Sequence, residues 1–96
     1  MTSTSLPSKD KYPKILFIRN EIYKILMNPK MKDFGETNYE KKTITLKSAM
    51  SSRELFKTFI HEMLHALDEE NGIGLTHKQV YKLETAIFEL LIDNFL

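Results

Sequence analysis

The chain contains no cysteine. Disulfides are therefore excluded, and so is every thiolate metal site, so any zinc held here must sit among imidazoles and carboxylates. No hydrophobic run approaches the roughly 20 residues that span a bilayer. The first residues, Met1-Thr2-Ser3-Thr4-Ser5-Leu6-Pro7-Ser8, lack the apolar centre of a secretory signal. An excess of one charge is missing too. The 14 Lys+Arg stand against 13 Asp+Glu, and a formal net charge of +1 provides neither a basic stripe for nucleic acid nor a strong attraction to anionic membrane. With 42% hydrophobic and 28% charged residues and no low-complexity run, 96 residues make one folded domain with a single modest core. The expectation is a cytoplasmic protein with no nucleic-acid and no membrane partner. Composition leaves the oligomeric state open.

What the chain does contain is His61-Glu62-Met63-Leu64-His65, set in the run Thr58 to Asp68. Two imidazoles four positions apart on a helix lie about 40° apart and one turn along the axis, so both reach one metal ion. Glu62, about 100° round from His61, is placed to contact a water at that metal without ligating it. Around this helix Leu55, Phe59, Ile60, Met63, Leu64, Ala66 and Leu67 form an apolar side. Lys57, His61, His65, Asp68, Glu69, Glu54, Thr58 and Glu62 form a polar one. A solvated helix face has the same look, so the decision rests on a third ligand.

Along the chain, residues 1–13 are rich in Ser, Thr, Lys and Pro and read as a mobile N-terminal arm, leaving 14–96 as the domain. Ile15 to Arg19 and Ile22 to Met27 read as two strands joined by a tight turn at Asn20-Glu21. A helix competes, because Ile15, Ile18, Ile22, Ile25 and Leu26 also fit a period near 3.6. After a loop at Pro29, Gly35 to Tyr39 and Thr43 to Leu46 form a second hairpin about Glu40-Lys41-Lys42. Ser51-x-x-Glu54 is a capping box that starts a helix near Ser52, and Asn71-Gly72 ends it. Thr76-x-x-Gln79 opens a last helix from about His77 to Asn94.

On that last helix Val80, Leu83, Ile87, Phe88, Leu90 and Leu91 share an apolar arc, and Glu84 falls inside it. A carboxylate buried there costs several kcal/mol unless it is paired, hydrogen-bonded or bound to metal. The short Asn71 to Leu75 connection folds the helix back against the first, so Glu84 is expected beside the histidines as the third ligand. A salt bridge between the helices is the competing role. His77 is the rival ligand or a donor facing substrate. Asp68 and Glu69 are expected in the outer shell or in solvent.

With His61-Glu62-x-x-His65 and Glu84 nineteen residues later, the chain resembles a gluzincin-type zinc metallopeptidase of minimal size. Over residues 14–96 it is similar to small metallopeptidase-like proteins encoded by phages and prophages. The resemblance implies zinc bound by His61, His65 and Glu84, with Glu62 as general base in hydrolysis of a peptide or protein substrate. Larger gluzincins often place an acid four residues beyond the ligand Glu to orient a motif histidine. Phe88 stands there, so Asp68 is expected as the substitute. His-Glu-Met-x-His-Ala is also similar to SprT-like proteases, in which His77 would be the third ligand. Tyr39, Tyr81 or His77 is expected to aid the oxyanion, and Thr43 to Leu46 to be the edge strand that an extended peptide joins. The expected fold is α+β, a small, mainly antiparallel sheet of two hairpins packed on two helices. A second function, of another class, is a non-catalytic phage protein that uses the zincin scaffold to bind a host protein.

Overall fold

The computed structural model describes residues 6–96. Two hairpins and two helices follow one another: β1 (Ile15–Ile18), β2 (Glu21–Asn28), β3 (Gly35–Asn38), β4 (Thr43–Lys47), α1 (Ser52–Asn71) and α2 (His77–Asn94). This is the expected α+β architecture. The strands form one sheet in the order β1-β2-β4-β3. Within each hairpin the pairing is antiparallel, Phe17 opposite Ile22 and Thr37 opposite Ile44. The hairpins join through β2 and β4, which run parallel with Ile25 opposite Ile44. The sheet is thus mixed. Thr43 to Leu46, expected at an edge, is interior, and the edge strand on that side is β3.

The period-2 alternation of the strands sorts the sheet faces. Ile18, Tyr23, Ile25, Ile44 and Leu46 point inward and are buried against Leu55, Phe59 and Ala66 of α1. Ile15, Phe17, Ile22 and Leu26 line the opposite face and remain exposed. Helix α1 has a second buried side, where Ile60 and Leu64 meet Val80 and Phe88 of α2. Val80 and Phe88 are the two side chains of α2 that are buried, and each contributes roughly 1.5–3 kcal/mol to docking. The Arg53 guanidinium lies 4.7 Å and the Lys57 ammonium 5.7 Å from the Phe88 ring centre, closing that seam with charge on aromatic faces.

Both helix starts are capped, but of the box expected at Ser51-x-x-Glu54 only the Ser51 half forms. The Ser51 hydroxyl accepts from the Glu54 N–H, and at α2 the Thr76–Gln79 box is complete in both directions. Gly72 takes the left-handed conformation, φ 60° and ψ 41°, that ends α1.

The arm departs from the expectation of a mobile segment. Residues 1–5 lie outside the described residues, but Leu6 packs against the α1–α2 core and Tyr12 is buried edge-on to Phe59 at 5.0 Å. The Tyr12 ring anchors this otherwise polar stretch against Phe59, although its hydroxyl is buried without a hydrogen-bond partner among the described residues. Among the described residues no helix is long and apolar enough to cross a membrane.

Candidate metal centre

Helix α1 carries His61 and His65 one turn apart, and their Nε2 atoms face each other at 3.1 Å, with ring centres 4.8 Å apart. Two nitrogens at 2.0–2.1 Å from one tetrahedral ion would stand roughly 3.3 Å apart. The pair is therefore spaced as two ligands of one zinc, and the donor chemistry suits that ion. Burial pushes the His65 imidazole below its ordinary value of 6.5, against the pull of the Glu62 carboxylate and with a smaller push from His61 and His77. A neutral imidazole is the form that ligates.

Glu84 does come beside the histidines, but on the other side of the ring. Its Oε1 lies 2.7 Å from His61 Nδ1, while His61 Nε2 faces His65. Both partners are largely buried, with side-chain exposures of 16% for His61 and 12% for Glu84. In this arrangement the Glu84 carboxylate meets the ring nitrogen opposite the one that faces His65.

Glu62, on the polar side of the helical projection, is 7% exposed because β3 covers it. The Thr37 hydroxyl donates to Glu62 Oε1 at 2.7 Å, with the Glu62 carbonyl oxygen 3.2 Å away as a weaker shared acceptor. Gly35 permits the close approach. A Cβ there would stand 2.7 Å from Thr58 Cγ2, 3.0 Å from Glu62 Cγ and 3.1 Å from Glu62 Oε2. Gly35 and Thr37 are the positions around Glu62 that reading the sequence by motif misses. The signal for them is weak: a glycine opening a strand, which marks close backbone approach, and a threonine two residues on, facing the same way.

A cleft of about 500 Å³ opens beside His61 and Glu62, lined also by Phe34, Gly35, Thr58, Tyr81 and Glu84, whereas His65 does not line it. Tyr81 holds its ring 5.0 Å from that of His61. Tyr39 does not line the cleft. Burial first, and then the Glu69, Glu62 and Asp68 carboxylates, raise its phenol above the ordinary 10.0. His77, the first residue of α2, is exposed, and its ring centre lies 6.0 Å from that of His65. Asp68 serves the chain turn: its Oδ1 accepts from Gly74 N at 2.6 Å and Leu75 N at 3.2 Å, fixing the connection between the helices. Among the described residues no three His, Asp or Glu side chains converge as a ligand set. No protein-family model, curated protein or solved structure matches the chain.

Proposed function

We propose that the protein is a zinc-dependent peptide hydrolase whose general base is Glu62. The observation that carries this reading is the convergence of His61 and His65 Nε2 at 3.1 Å beside a buried carboxylate on the same helix, with His61 and Glu62 lining an open cleft. His61 and His65 would hold the ion. His77 would supply a third nitrogen, since three imidazoles on one tetrahedral ion have ring centres roughly 5 Å apart, against the 6.0 Å between His65 and His77. An exposed side chain at the first position of a helix is free to turn inward. Bound zinc supplies a Lewis acid that polarises a carbonyl and makes a water acidic near neutral pH.

The chain's own groups do the rest. Thr37 anchors Oε1 of Glu62, leaving the carboxylate to take the proton of the attacking water and return it to the leaving amine. Tyr81 lines the cleft beside His61, and its hydroxyl would donate to the oxygen of the tetrahedral species. The peptide finds its rail on β3. Lys47 N donates to Phe34 O at 2.8 Å, so Phe34 is hydrogen-bonded to β4. By the alternation of an antiparallel pair the N–H and C=O of Gly35 and Thr37 then point to the free edge. An extended peptide added there runs past Glu62 and the histidines.

Two measurements test the reading. Protein purified without an affinity tag and reconstituted with zinc should hold about one ion per chain by elemental analysis. Glu62→Gln should keep that ion and lose cleavage of peptides from a mixed library by at least about 100-fold, the low end for removal of a general base. Failure of both histidines to retain zinc sinks the metal site. Zinc uptake without any cleavage by the wild type favours the other reading, a zincin-scaffold protein that binds a host protein and hydrolyses nothing.

A further inference from the structure

We infer that Glu84 is a positioning residue that fixes the tautomer of His61, rather than a ligand; the inference rests on the metal-site reading above and specifies which atom of which ring each group serves. A carboxylate oxygen 2.7 Å from Nδ1 can only accept, so Nδ1 carries the proton whatever the charge on the ring. In the neutral ring Nε2 is then bare and its lone pair points toward His65 Nε2, 3.1 Å away. That is the protonation state a metal ligand needs, imposed before any ion arrives.

The location of Glu84 supports this role. It comes from α2, at 12% side-chain exposure, one turn from the buried Val80 and Phe88 and at the wall of the cleft, so the helix seam fixes where its carboxylate meets the ring. His61 is held in turn from a second direction by the Tyr81 ring at 5.0 Å, one α2 turn before Glu84. Helix α2 therefore holds the imidazole through the Glu84 carboxylate at Nδ1 and the neighbouring Tyr81 ring, while Nε2 faces His65.

Three proteins test this: wild type, Glu84→Ala and Glu84→Gln. Zinc affinity is read by competition with a chromophoric chelator, and the ring tautomers by nitrogen NMR of histidine-labelled, metal-free protein. Glu84→Ala should weaken zinc binding by about 10–100-fold. Glu84→Gln, which keeps an oxygen acceptor for Nδ1–H, should recover most of that loss. In the metal-free spectra His61 should be the Nδ1–H form in wild type and Glu84→Gln and a mixture of tautomers in Glu84→Ala. Equal loss of affinity in both variants would mark Glu84 as a ligand and overturn the assignment. So would an unchanged His61 tautomer in Glu84→Ala. If even the wild type takes up no zinc, the hydrolase reading falls, while the spectra of the metal-free proteins still decide what Glu84 does to the ring.

Discussion

Glu62 owes its place to a missing side chain. The carboxylate is anchored through one oxygen by the Thr37 hydroxyl at 2.7 Å and packed against the bare Cα of Gly35. A methyl group at that Cα would stand 2.7 Å from Thr58 Cγ2, closer than real contacts allow, and 3.1 Å from Glu62 Oε2. Gly35→Ala should therefore lever β3 off α1 and cost roughly 1–3 kcal/mol, the usual penalty of overpacking. Because the tightest contact is to a single γ-methyl, adding Thr58→Ser should return part of the stability. If Glu62 is the base proposed above, cleavage should be impaired in both variants, since the added methyl still crowds Glu62. Denaturant melts of the single and double variants, with peptide cleavage measured alongside, separate the two effects. Gly35→Ala as stable and active as wild type would mean that β3 yields freely and does not position the base.

At the scale of elements, local signals were legible and non-local ones were not. The bounds of α1 and α2 follow from Ser51, Gly72, Thr76 and Gln79, whose capping bonds are made within a few residues of themselves. The parallel pairing of β2 with β4 joins Lys24 to Thr43, and an alternation of Thr with Ile reads alike at an edge and in the interior. That is why the edge strand was expected one position too far in. The arc position of Glu84 was visible, yet a helical projection yields an angle and cannot say which nitrogen of a ring a carboxylate will meet. Tyr12 sat unnoticed in a polar arm for a similar reason: nothing around it in sequence marks the Phe59 ring it meets. The β3–β4 turn is tied to the end of α1 by another non-local contact, the Lys42–Glu70 ion pair, with the Tyr23 hydroxyl donating to the same Glu70 oxygen at 2.7 Å. The Lys42 ammonium first, and then that hydroxyl, hold the Glu70 carboxyl below its ordinary 4.5. A carboxyl whose value is lower folded than unfolded stabilises the fold fully above the unfolded value and loses that contribution as the pH falls through it to the folded one. Thermal melts of wild type and Glu70→Gln should therefore differ most above pH 4.5 and draw together below it. A constant gap across the acid range would mean that the charge on Glu70 contributes nothing to the tie.

Across the whole molecule the candidate centre lies where three units meet: edge strand β3, helix α1 and helix α2. The sheet holds α1 through a broad buried face, whereas α2 is docked chiefly by Val80 and Phe88. Its approach to the centre depends on the short connection that Asp68 fixes through Gly74 and Leu75. An ion held by His61 and His65 alone would tie α1 to itself. One that also engages His77 would tie α1 to α2, and the least buried helix would then be stapled to the rest of the fold. Binding to the folded chain alone stabilises it by about 2.7 kcal/mol when free zinc is 100 times its dissociation constant. In a domain of this size that amounts to a rise in melting temperature of roughly 10–20 °C. Wild type melted at fixed zinc should show that rise over the same protein in chelator. His77→Ala, melted at the same zinc concentration, should show only a small part of it, because its dissociation constant is raised and the site is less filled. Its melting temperature in chelator should match the wild type, since an exposed first-turn imidazole packs against nothing that α2 needs. If the His77 variant gains as much from zinc as the wild type, the ion rests on α1 without the staple, and α2 contributes only the carboxylate behind His61.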